Sequence, residues 1–182
     1  MSLINPIRTE RLILRRFVPE DLIHLSAMLG DPEVMKYYGP QAKSHTPEKW
    51  FSSVEAAHEK HGMSSLAVEL KDTGVFIGQA GILFQDVEGT LEQEVAYMFK
   101  KDFWGKGYAS EATRECMRYA YSNLNPRRFI SLINPKNDPS INLAKRNGME
   151  FERMIEKWGM PVTLYSITLE RWKATVGSGS FS

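Results

Sequence analysis

A strand that runs through a glycine loop into a helix constrains this chain more than any other feature. In residues 91–112, LEQEVAYMFKKDFWGKGYASEA, Val95, Tyr97 and Phe99 alternate with Glu92, Glu94, Ala96 and Met98. A period of two predicts a strand with two distinct faces. Gly105 and Gly107 then lie one residue apart in the loop 102–107. From Tyr108 onward Ala109, Ala112, Cys116, Tyr119 and Ala120 form one helical stripe. Glycines let backbone N–H groups converge with no Cβ in the way, and a helix start adds unpaired donors and partial positive charge. The segment 103–109 is therefore predicted to hold a phosphate-bearing ligand.

Two familiar phosphate loops do not fit. A Walker-type loop, GxxxxGK[ST], needs a glycine where Lys100 stands and Ser or Thr where Gly107 follows Lys106. A dinucleotide fingerprint, GxGxxG, fails because GKGYAS ends in Ser110, and the chain's first strand does not lead into this loop. What is left is a GxG loop flanked by aromatic residues.

The rest of the chain supplies a sheet and its covering helices. Arg11–Phe17 reads as a strand with Leu12 and Leu14 inward. Pro19, Glu20 and Asp21 open a helix to about Leu29 carrying Leu22, Leu25, Met28 and Leu29 on its apolar stripe. PEVMKYY (32–38) reads as a short helix stopped at Gly39-Pro40, and Thr46-Pro47 starts another through His61. Period-two patterns predict strands at Ser65–Leu70 and Val75–Phe84, with a turn at Gly89-Thr90 before the strand described above. After the long helix, Asn125-Pro126 breaks the chain. Phe129–Ile133 is a strand, Ser140–Arg146 a brief helix with a left-handed cap at Asn147-Gly148, and Glu150–Lys157 and Val162–Trp172 are final strands. The order implies an α+β fold: a mixed, mostly antiparallel central sheet with helices on both faces and one parallel pair around 92–133. One domain is expected over 1–174, with a flexible C-terminal tail at 175–182.

Composition excludes several function classes. A net charge of +1 gives no broad footprint for nucleic acid or an anionic membrane. A lone cysteine forms no internal disulfide or cysteine cluster, and His24, His45, His58 and His61 make no metal motif, so no metal is expected. No signal-like apolar run or membrane-length segment is present, and a cytoplasmic protein is expected.

WGKGYASEA at 104–112 resembles the coenzyme A pyrophosphate loop of the GNAT family of N-acetyltransferases, in its ribosomal-protein alanine acetyltransferase-like branch. TERLILRRFVPEDL (9–22), DPEVMKYYG (31–39), FIGQAGI (76–82), EVAYMF (94–99) and NPKNDPSINLAKRNGMEFE (134–152) are similar to that branch in the same order. The resemblance spans roughly residues 8–172. Asp102 stands where the branch usually has Arg or Gln, and Met149 follows Gly148 in place of its phenylalanine.

The resemblance implies a splayed parallel strand pair forming an acetyl-CoA cleft, with acetyl-CoA as co-substrate. The pantetheine arm would lie against the backbone of Tyr97, Met98 and Phe99. The pyrophosphate would sit on Phe103, Trp104, Gly105, Lys106, Gly107, Tyr108 and Ala109, and Asn137 would meet the pantetheine. Ser140 matches the serine near the thiol, where it would protonate the departing thiolate; capping the following helix is an equal reading. The implied reaction is direct attack of a primary amine, a protein N-terminus or a small molecule, on the thioester. A homodimer is common in such enzymes.

An amine nucleophile must lose a proton, so a carboxylate facing the cleft, acting directly or through water, is useful. Glu94 is the leading candidate and Glu92 its neighbour on the same face; for either, a strand glutamate paired with Arg or Lys is the competing reading. Tyr37, Tyr38 and Trp50 fall in the region that walls the acceptor site in this family. Cys116 lies on the apolar helical stripe, where a core role outweighs a covalent one. A non-catalytic acyl-CoA-binding or sensing module of the same fold is the alternative function.

Overall fold

A computed structural model describes residues 5–176. Eight strands form one sheet: β1 Ile7–Arg8, β2 Leu12–Arg15, β3 Ser65–Leu70, β4 Phe76–Val87, β5 Thr90–Phe99, β6 Arg128–Ile133, β7 Glu150–Lys157 and β8 Met160–Thr168. Their spatial order is β1-β2-β3-β4-β5-β6-β8-β7. All neighbours are antiparallel except β5 and β6. The helices are α1 Leu22–Gly30, α2 Pro40–Lys43, α3 Pro47–His61, α4 Tyr108–Asn123, α5 Asp138–Arg146 and α6 Leu169–Val176.

The period-two strands place one apolar layer on each face of the sheet. On one face Val95 and Phe99 of β5 pack with Leu12, Leu14, Ile77 and Phe129 against Ala112, Cys116, Met117 and Ala120 of α4 and Trp172 of α6. On the other, Met98 and Phe76 pack with Ala67 against Leu25 and Met28 of α1 and Val54 of α3. The centre of the sheet is tight enough to demand glycine: a Cβ at Gly81, which pairs with Ser65 on β3 and Ala96 on β5, would overlap the Ser64 carbonyl oxygen. Gly81→Ala is expected to cost about 1–3 kcal/mol, read as a lower urea midpoint at unchanged slope.

Local signals set several element ends. Thr46 accepts a hydrogen bond from the Lys49 N–H at 3.3 Å and Pro47 follows it, so α3 starts where the cap pattern predicts. Gly148 adopts a left-handed φ of 82°, and the Gly148 and Met149 N–H groups close α5 on the Lys145 and Ala144 carbonyls.

The structure corrects the sequence reading in four places. Residues 32–37 form successive turns instead of a helix, because Asp31 Oδ1 takes the Glu33 N–H at 2.8 Å and the run is too short to propagate. A short helix, α2, begins at Pro40 where a stop was expected. The β4–β5 turn is Glu88-Gly89, both with positive φ, so β4 continues to Val87. The last strand ends at Thr168, whose hydroxyl accepts from the Arg171 N–H at 3.3 Å, and Trp172 belongs to α6. The tail expected from residue 175 lies outside the described residues, apart from Thr175 and Val176, which close α6.

Candidate active site

The two parallel strands touch at one registered pair, Glu94 opposite Ile130, and then part. Side chains take over the ladder beyond that point. Ser131 Oγ donates to the Val95 carbonyl at 3.1 Å, and the Leu132 N–H donates to Glu94 Oε1 at 3.3 Å. Further along β5, the Tyr97 carbonyl accepts from the Tyr38 hydroxyl at 3.4 Å and the Phe99 carbonyl accepts from Trp104 Nε1 at 2.7 Å. Val95, Tyr97 and Phe99 thus turn backbone carbonyls toward the gap, as alternation along a strand requires. The Met98 carbonyl turns the other way, against Gly78 of β4, so of the three residues expected at this edge only Tyr97 and Phe99 present carbonyls to it.

The gap opens a cavity of about 320 Å³ that runs through the sheet. Glu94 faces it from the α1/α3 side; Tyr97, Asn137 and Ser140 line it from the α4/α5 side. Tyr37, Tyr38 and Trp50 line its other end, so the structure gathers the expected base, the expected acid and the expected acceptor wall in one space.

Glu94 is 6% exposed and accepts a hydrogen bond from Gln85 Nε2 at 2.9 Å. Among the described residues it forms no ion pair. Burial pushes its carboxyl up to about 7, against the opposing pull of the Gln85 amide, the Leu132 N–H and the charge of Lys157. Glu92 is different. Arg128 Nε donates to both its oxygens at 3.0 and 3.1 Å, and this ion pair holds it in a structural role. The two carboxylates thus differ in their partners: Glu92 is ion-paired with Arg128, and Glu94 accepts from a neutral amide.

On the opposite side Tyr97 interacts through its hydroxyl with Ser140, and burial raises the phenol to about 12. The cap of α5 is Asn137, whose Oδ1 accepts from the Ser140 N–H at 3.3 Å. Ser140 is the capped residue and not the cap, which leaves its hydroxyl to Tyr97 and the cavity.

The glycine loop lies at the start of α4. Gly105 and Gly107 have φ of 73° and 83°, and Gly107 is an N-cap with no side chain on the first-turn N–H groups. Gly105, Lys106 and Gly107 are exposed, and nothing lies within 4 Å of a Cβ built at Gly105. The Lys106 ammonium lies 5.4 Å from the Phe103 ring centroid. Trp104 folds its indole back to β5 and ties the loop to the strand. Arg11, just before β2, braces the loop: Nη1 donates to the Lys106 carbonyl at 3.0 Å, Nε to Glu111 at 2.7 Å, and the guanidinium lies 4.6 Å from the Tyr108 ring centroid. Sequence reasoning did not find Arg11, nor Gln85, nor the Tyr97 side chain; their partners lie far away in sequence or across a strand pair.

Cys116 is fully buried and its thiol is pushed up by desolvation, in keeping with a core residue. His58 sits on the Ser65 carbonyl and His61 stacks on Phe84, so the two do not converge. Among the described residues no cluster of His, Cys, Asp and Glu of metal-binding size occurs, and no helix is long and apolar enough to cross a membrane.

A family model described as an acetyltransferase (GNAT) domain matches residues 11–150. The protein YkkB of Bacillus subtilis is 35% identical over 158 residues, 86% of this chain and 92% of that protein. An acetyltransferase from Agrobacterium tumefaciens has a similar structure, with a TM-score of 0.76 at 26% identity over 92% of this chain and 96% of its own. RimL, a ribosomal alpha-N-protein acetyltransferase solved in complex with coenzyme A, matches in fold with a TM-score of 0.74 at 16% identity, over 91% and 99% of the two chains.

Proposed function

The chain belongs to the GNAT acetyltransferase family, and from that premise we propose that it transfers the acetyl group of acetyl-CoA to a primary amine by direct attack. The observation that carries the proposal is Glu94, a buried carboxylate without an ion-pair partner among the described residues, at the point where the parallel strands part.

The residues fit the co-substrate. At Tyr97 and Phe99 the edge of β5 is paired with no other strand, and each carbonyl, though it already accepts one side-chain hydrogen bond, keeps a second lone pair that suits an amide of a pantetheine arm; the Asn137 side chain stands beside the same gap. The uncapped start of α4, with two glycines in the left-handed region, suits a pyrophosphate over Phe103–Ala109. When bound, acetyl-CoA supplies an activated thioester carbon. Glu94 takes a proton from the amine, directly or through water; a carboxyl near 7 is matched to that task at neutral pH. The C–N bond forms as the C–S bond breaks. The charged acceptor gives one proton through Glu94 to solvent as it becomes the free amine; its second, lost as the amide forms, restores through water the proton that the Ser140 hydroxyl, supported by Tyr97, gives to the departing sulfur. Closeness and alignment supply most of the rate.

Arg11 is a positioning residue in this reading. Arg11→Ala is expected to raise the KM for acetyl-CoA about tenfold with kcat nearly unchanged. Arg11→Lys restores it only in part, because an ammonium lacks the fork that reaches Lys106 and Glu111 together. Steady-state kinetics with acetyl-CoA varied measures both.

Free-thiol release over a set of amines and peptides, alongside acetyl-CoA binding, tests the proposal. Acetyl-dependent release with an N-acetylated product supports it. Tight binding without release from any acceptor points to a non-catalytic acyl-CoA module.

A further inference from the structure

We infer that the acceptor is a compact amine carrying a single positive charge on an aromatic or aliphatic body. The inference rests on the transferase reading above and narrows it. Glu94 is the only acid among the described residues that line the cavity, and no Lys or Arg lines it. One ammonium therefore finds one carboxylate. A second cation on the same substrate would be desolvated without a second carboxylate to pair with, which burial penalises.

Several polar groups at this end already have partners. Trp50 Nε1 donates to Gln79 Oε1 at 3.2 Å, Gln85 donates to Glu94, and the Tyr38 hydroxyl donates to Tyr97. Much of the wall is apolar or aromatic, from Tyr37, Trp50, Leu83, Leu132, Trp158 and Met160, with His45 and Gln79 beside them. Such walls reward apolar area, and aromatic faces also accept a cation on its way to the carboxylate.

The acceptor end is also roofed. A Cβ at Gly39 would stand 2.9 Å from Met160 Sδ and 3.3 Å from the Trp158 carbonyl, so the segment before α2 lies directly against the β7–β8 hairpin. Asn134 Nδ2 adds a hydrogen bond to the Tyr37 carbonyl at 3.3 Å. A protein N-terminus needs an open trench for the chain that follows it, whereas a small molecule needs only room. The cavity is at the lower end of the roughly 300–1,000 Å³ range of small-molecule sites, and the acetyl end of the co-substrate shares it.

The test uses the whole protein, acetyl-CoA and four acceptors: phenethylamine, hexylamine, spermidine and a tetrapeptide with a free N-terminus, with acetyl-CoA binding measured in parallel. The expected result is a kcat/KM for phenethylamine or hexylamine about tenfold or more above that for spermidine and the peptide. Trp50→Ala should raise the KM for phenethylamine with the KM for acetyl-CoA unchanged, and Trp50→Phe should recover most of it. A preference for spermidine or for the peptide overturns the inference while leaving the transferase reading in place. Acetyl-CoA binding with no acetylation of phenethylamine or hexylamine also overturns it. Failure to bind acetyl-CoA sinks the transferase reading itself, and this inference with it.

Discussion

Glu94→Gln is expected to lower kcat by about a hundredfold or more, with the dissociation constant for acetyl-CoA nearly unchanged. Glutamine keeps the shape and hydrogen-bonding reach of glutamate but accepts no proton from an amine. The pH profile separates loss of a base from loss of a contact. Only the carboxylate form is active, so wild-type kcat/KM rises with pH through about 7, and the variant lacks that inflection.

Stability moves the other way. The folded-state value of about 7 lies above the 4.5 of a free carboxyl, so across that interval the folded protein holds a proton that the unfolded chain has released. The stabilisation is fully present below about 4.5 and is lost as pH rises through about 7. Removing the ionisable group removes that loss. At pH of about 8, Glu94→Gln is expected to melt no lower than the parent while being far less active. A variant that loses activity and stability together would assign Glu94 a structural role.

Gly107→Val is expected to abolish acetyl-CoA binding at sub-millimolar ligand. Three effects act together: a β-branched residue is strained at a φ of 83°, its side chain stands over the first-turn N–H groups of α4, and its Cβ lies 3.3 Å from Arg11 Nη2, which braces the loop. Gly105→Val meets open space in the protein alone, so its effect comes from strain and from blocking the ligand's approach. Both positions are exposed loop, so far-ultraviolet circular dichroism should be preserved while binding is lost.

Sequence patterns carried much of this account where the governing interactions are local. Leu12 and Leu14, the Thr46-Pro47 start of α3, the β5–glycine loop–α4 unit and the Gly148 cap all follow from residues within a turn or a strand pair. The helix over Leu169–Val176 was hidden because Trp172 reads as a strand residue, while the deciding group, Thr168, caps from just outside. The partner that sets Glu92 apart from Glu94 was not legible in the sequence, since Arg128, which claims Glu92, lies 36 residues away. Arg11 reaches Glu111 across 100 residues, and the Gly39–Met160 roof joins segments still farther apart. No period or motif reports such pairings; they exist only once the sheet has assembled.

The central claim is that the splayed strands and the glycine loop hold acetyl-CoA. Titration calorimetry of the purified protein with acetyl-CoA tests it most directly, with Gly107→Val as the control. One-to-one saturable binding by the parent, lost in the variant, is the predicted result. No binding by the folded parent at sub-millimolar acetyl-CoA, or equal binding by both proteins, would contradict it.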